Sequence, residues 1–175
     1  MPQLHNAMLV SGTKVPGLSC SLIPEMVRRA KACGLFVILD IRGSDLLNSL
    51  PFKPDLIKPN LEEFAATFAS DKPHGFCNAK ENTAALCREI YEKYGCRIIL
   101  TRGAQSLWYD EAGTLEEYPV ETVQAVNPIG SGDAFTAGFA SAFLDGASFR
   151  EALAEGARCG RLNALLLKPG AIYAD

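Results

Sequence analysis

The run Asn127-Pro128-Ile129-Gly130-Ser131-Gly132-Asp133-Ala134-Phe135-Thr136-Ala137-Gly138 holds the residue types that phosphoryl chemistry needs. Glycines let neighbouring backbone amides turn towards one point without steric cost, and a helix start adds unpaired amides with partial positive charge. Gly130, Ser131 and Gly132 therefore compose an anion hole, suited to a phosphate whose charge grows during transfer. Asp133 stands where the hole meets the helix, placed to take a proton from an attacking hydroxyl. The same spacing also describes a tight turn with Asp133 as an ordinary helix cap. Spacing alone leaves both readings open.

Such a loop works only if the rest of the chain holds it. Ala7–Val10 and Leu35–Asp40 are apolar runs that predict buried strands, and Asp55–Lys58 and Arg97–Thr101 predict two more. Between them, Ser21–Cys33 places Leu22, Met26, Val27 and Ala30 on one helical face, with Gly34 as its stop. Asn60 predicts a cap for a helix through Phe68, and Asn78–Tyr94 an amphipathic helix ended by Gly95. Two short strands are expected at Ser106–Tyr109 and Leu115–Val120, turning at Glu111-Ala112-Gly113, with helices at Asp133–Leu144 and Phe149–Leu166. Residues 70–77 read as a surface loop. Strands alternating with helices imply a mostly parallel sheet between helical layers, a three-layer α/β/α arrangement in one domain spanning residues 1–175. Ligands of such open sheets bind beyond the carboxyl ends of the strands, where Asp40–Gly43, Lys58–Asn60, Thr101–Gly103 and Asn127–Asp133 all fall.

The Asn-Pro-x-Gly-Ser-Gly-Asp run resembles the second signature of the ribokinase-like, or PfkB-type, carbohydrate kinases. It is most similar to the branch that phosphorylates sugar phosphates, the tagatose-6-phosphate kinases and 1-phosphofructokinases. Three more segments resemble the family in the expected order: Ser11-Gly12-Thr13 through Pro16-Gly17, Lys58-Pro59-Asn60 with Glu63, and Thr101-Arg102-Gly103-Ala104. The resemblance implies the ribokinase-like fold and ATP-dependent phosphorylation of a sugar or sugar phosphate. It implies Asp133 as the catalytic base, the Gly130–Asp133 hole for the phosphoryl group, and Lys58, Asn60, Thr101, Gly103 and Asn163 beside the nucleotide. It also implies Mg2+, placed indirectly by Asn60 and Glu63 through water, and in some members a monovalent cation bordered by Asn127 and Ile129. Arg42 and Arg102 depart from the family pattern, which has a small and an apolar residue there. Family members carry a longer leading portion with a sugar-binding glycine pair and a β-sheet lid. On this reading the chain is the trailing, nucleotide-binding part of such a kinase, inactive by itself and prone to dimerise. The second reading is a non-catalytic nucleotide-binding or dimerising module.

Alternatives within the residues stay open as well. Asn60 and Glu63 at i and i+3 suit a capping box as readily as a phosphate site. Lys58 suits a point charge for phosphate or a solvated strand-end lysine. Asn163 suits the edge of an adenine pocket or a buried structural amide. Hydrophobic residues make up 48% and charged residues 21% of the 175, the composition of an ordinary globular domain. A net charge of −3 gives no electrostatic footprint for nucleic acid or an anionic membrane. No apolar run is long enough to cross a bilayer, and the first residues lack a signal peptide's pattern, so a cytoplasmic protein is expected. The six cysteines fall at no metal-ligand spacing and read as reduced thiols, while His5 and His74 carry no assigned role. A Gly-x-x-x-x-Gly-Lys loop is missing, and Phe135 stands where a dinucleotide fingerprint needs a third glycine.

Overall fold

The computed structural model describes residues 7–15 and 17–170, so His5 and Pro16 lie outside the described residues. These residues fall into two compact units, one ending at Glu117 and the other beginning at Tyr118.

The first unit is a six-stranded sheet in sequential order: β1 (Ala7–Ser11), β2 (Phe36–Asp40), β3 (Leu56–Ile57), β4 (Arg97–Leu100), β5 (Leu107–Glu111) and β6 (Thr114–Tyr118). β1 to β4 run parallel, in a register that pairs Val10 with Leu39, Leu39 with Ile57, and Ile57 with Ile98. β5 runs antiparallel to β4, pairing Trp108 with Leu100. Parallel neighbours need crossovers, and here α1 (Leu22–Ala32), α2 (Gly43–Ser49), and the pair α3 (Leu61–Phe68) and α4 (Lys80–Tyr94) supply them. Crossovers of one hand stepping one way put every helix on the same face. The core cluster agrees: Ile23 and Val27 of α1, Leu46 of α2, Phe64 of α3 and Ile90 of α4 pack with Val37, Leu39, Ile57, Ile98 and Leu100. The alternate residues Ile38, Leu56 and Ile99 are buried too, which is why these strands read as unbroken apolar runs.

Differences from the sequence reading are local. α2 was not expected; its seven residues are too few to show a helical period. A short 3-10 turn at Phe76–Asn78 precedes α4 and buries Cys77, so the end of the 70–77 loop turns inward while Ser70–Gly75 stay exposed. Ala112 and Gly113 both adopt positive φ, the geometry of a tight hairpin turn between β5 and β6. All six cysteines are free, and burial holds the thiols of Cys87 and Cys96 well above their ordinary range.

The second unit is built on α5 (Ser131–Leu144) and α6 (Phe149–Ala164). α6 opens on a capping box between Ser148 and Glu151. The two helices approach closely because glycines face the contact. A Cβ on Gly156 would lie 2.9 Å from the Phe135 carbonyl, and one on Gly160 would lie 3.0 Å from the Ser131 carbonyl. Phe139 stacks on Phe143 and meets Phe149 edge-on, with centroids 5.6 and 5.2 Å apart.

Candidate active site

In the first unit, the predicted residues meet at the carboxyl ends of β2, β3 and β4. Asp40 closes β2, and its carbonyl accepts from the Gly12 amide at 3.1 Å, which draws the Ser-Gly turn to the same sheet end. Lys58 follows β3 directly, its own amide donating to Leu39 at 2.9 Å. Its side chain is only 4% exposed, and the ammonium lies 3.0 Å from the Asp40 carboxylate. A lysine so buried needs such a partner, because an unpaired charge there would shed its proton or destabilise the fold.

Asn60 continues the sheet for one step beyond Lys58, bridging to Thr101 in parallel, with the Leu61 amide donating to the Thr101 carbonyl at 3.0 Å. It then caps α3. Its side chain accepts from the Glu63 amide at 2.8 Å, while the Glu63 carboxylate accepts from the Asn60 amide at 3.1 Å. The other Glu63 oxygen lies 3.4 Å from the Arg42 guanidinium. Thr67 hands its hydroxyl hydrogen to the Glu63 carbonyl and accepts from the Gly43 amide, fastening the start of α2 to α3. Asp40 with Lys58, and Asn60 with Glu63 and Thr101, thus form two groups separated by Pro59 along the chain. Gly103, at φ +62, lies exposed at the tip of the loop after β4.

In the second unit, Gly130 adopts φ +78 immediately before α5, a conformation that glycine takes without strain. The Ser131 amide turns back onto the Pro128 carbonyl at 3.2 Å, and the Ile129 amide donates to the Asn127 side chain at 3.0 Å. Asn163 fixes this turn from α6. It is fully buried; its amide donates to the Ile129 carbonyl at 2.8 Å and the Ser131 hydroxyl at 3.2 Å, and its oxygen accepts from Gly170. That side chain is committed to the turn. Asp133 lies in the first turn of α5 and is exposed to solvent.

Sequence reasoning missed the roles of Asp40 and Arg42. Asp40 had a signal, an acid closing an apolar run opposite a lysine one strand over. Arg42 had none beyond its charge, since contact with Glu63 depends on α2 and α3 lying side by side.

The sequence profile described as pfkB family carbohydrate kinase matches residues 4–173. The chain belongs to the pfkB family. It superposes on phosphofructokinase-2 from Escherichia coli in complex with potassium with a TM-score of 0.80 at 20% identity, covering 91% of this chain and 51% of that one. The tetrameric inhibited form of the same enzyme gives a TM-score of 0.75 at 20% identity, covering 90% and 51%. Arabidopsis thaliana ribokinase complexed with ribose and ATP gives 0.73 at 24% identity, covering 86% and 48%. These likenesses show the ribokinase-like α/β fold in this pfkB-family chain. The chain spans about half the length of the structures it matches.

Proposed function

We propose that this chain is the nucleotide-binding and phosphoryl-transferring part of an ATP-dependent sugar or sugar-phosphate kinase. The observation that carries this reading is the glycine turn at Gly130, pinned by Asn163, that opens α5 with Asp133 in its first turn. In the proposed step the acceptor hydroxyl oxygen attacks the γ-phosphorus of ATP, and the bond from phosphorus to the ADP oxygen breaks. The hydroxyl proton passes to the Asp133 carboxylate. Amides of the Gly130–Asp133 helix start meet the charge on the transferring group, a fixed arrangement that needs no reorganisation as the reaction proceeds. Lys58, Asn60, Thr101 and Gly103 are assigned to the nucleotide. For Lys58 this means a charge whose place is set by Asp40. Asn163 is assigned to shaping the turn, with any contact to the base secondary.

The donor set fits a hydrated Mg2+. Among the described residues no cluster of three or more carboxylate, His or Cys side chains could cage a metal, and Mg2+ typically keeps several waters and takes only one or two carboxylates. Glu63 would hold it through water, with Asn60 fixing that carboxylate by the capping box. When bound, the ion would neutralise charge on the nucleotide phosphates. A monovalent cation near Asn127 and Ile129 is supported by the potassium complex of the Escherichia coli enzyme. Nothing in the charge of the chain favours nucleic acid or membrane as a partner, and no helix among the described residues is long and apolar enough to span a bilayer.

In a complete kinase containing this chain, Asp133→Asn should lower turnover at least about a hundredfold while nucleotide affinity stays unchanged. Steady-state rates beside ATP titration check this, and near-normal turnover would remove Asp133 as the base. The second reading is nucleotide binding without turnover. The isolated chain would then bind ATP and release no ADP with tagatose 6-phosphate or fructose 1-phosphate, whereas sugar-dependent ADP release at ordinary enzyme rates would exclude it.

A further inference from the structure

We infer that Arg102 is a positioning residue that preforms the Thr101–Ser106 turn for the nucleotide; this rests on the nucleotide-binding reading above. The turn follows β4 and begins beside the Asn60–Thr101 bridge. Its backbone closes when the Gln105 amide donates to the Arg102 carbonyl at 3.1 Å. The Arg102 side chain closes it a second time. One guanidinium nitrogen donates to the Gln105 side-chain oxygen at 2.7 Å, and the other to the Ser106 hydroxyl at 3.1 Å. The guanidinium carbon lies over the Trp108 ring, 3.9 Å from its centroid. Glu117 on β6 completes the bracket: it takes the Ser106 hydroxyl hydrogen, lies 3.7 Å from Arg102, and has Lys80 of α4 at 3.8 Å.

Arg102 is thus the point where turn, strand and hairpin are joined. Its side chain is 16% exposed, yet Gly103, Ala104 and Gln105 beside it are exposed. Most of the guanidinium's reach goes to the turn, and its Nε is buried with no hydrogen-bond partner. Arg102 is therefore not poised as a ligand itself. Its effect is to hold Gly103 at positive φ with the turn tip facing solvent before any ligand arrives. A binding loop already ordered costs less conformational entropy on association. Lysine could not substitute, since a point charge on a flexible stem neither stacks nor forks.

The experiment compares the full chain with Arg102→Leu and Arg102→Lys by amide hydrogen exchange and by calorimetric titration of ATP with Mg2+. We expect exchange at Gly103–Ser106 to quicken about tenfold or more in both variants, with exchange in α4 and β2 unchanged, and ATP affinity to fall about tenfold. Gln105→Ala, which removes one exposed acceptor without touching the core, should shift exchange the same way by less and guards against a variant that fails to fold. Unchanged exchange across the turn, or ATP affinity equal to the parent chain, would overturn the inference. Absence of ATP binding by the parent chain, with the exchange contrast intact, would instead overturn the nucleotide reading while leaving Arg102 as the residue that orders the turn.

Discussion

At Lys58 a charge is buried 3.0 Å from its counter-charge on Asp40; at Asp110 a carboxylate is buried with its cost only partly offset. Asp110 lies on β5 two residues after Trp108, hence on the face that α4 covers, and is 1% exposed. Neither of its oxygens makes a hydrogen bond of ordinary geometry. Burial raises its pKa from 3.8 to about 6, and the Gly113 amide and Arg97 offset only part of that. The thiols of Cys87 and Cys96 also feel this carboxylate, whose charge helps to raise them. The folded state therefore holds the proton more tightly than the unfolded chain, so this group's contribution falls as pH rises from about 4 to about 6 and stays low above. Asp110→Asn should stabilise the chain by about 2 kcal/mol at pH 7.5, and the gain should vanish near pH 3.5. Urea unfolding at the two pH values checks this, and equal effects at both would show that Asp110 does not bury its charge. Among residues, the sequence disclosed that Lys58, Asn60 and Thr101 fall at or just beyond strand ends. It did not disclose partners such as Asp40 for Lys58, because strand order decides them.

Elements were more legible than partners. β2 and β4 are runs of apolar residues with no alternation, and Gly95 ends α4 in the left-handed conformation that favours glycine. α5 is apolar nearly all round, so its periodicity says little about which face packs. The glycines of α6 resolve that. On an exposed helix, Gly→Ala gains up to about 1 kcal/mol in propensity. At Gly156 the added methyl would meet the Phe135 carbonyl at 2.9 Å, and backbone cannot swing aside as a side-chain tip can. Overpacking of about 1–3 kcal/mol then wins, and Gly156→Ala should lower stability, read as an earlier midpoint in chemical denaturation. A later midpoint would mean that the helices have room to part. The turn at Gly130 hangs from this contact through Asn163, so loosened helices should also weaken any phosphate held there.

For the molecule as a whole, β1 is, among the described residues, the outermost strand on its side of the sheet and carries no charged residue from Ala7 to Ser11. Leu9 on that strand is 42% exposed, and Leu22 and Met26 on α1 are exposed as well. An uncharged sheet edge and exposed apolar side chains invite pairing with another chain. We expect sedimentation velocity of the purified chain to show a dimer, and a clean monomer at tens of micromolar would defeat that expectation. The family was legible from the motifs, and the family profile over residues 4–173 agrees with them. The acceptor was not legible, since sugar selectivity depends on side chains outside those motifs. The central claim, that this chain holds ATP, is tested most directly by calorimetric titration of the full chain with ATP and Mg2+. Saturable binding is expected, with a Kd below about 1 mM, corresponding to more than about 4 kcal/mol. No heat at several millimolar nucleotide would contradict it.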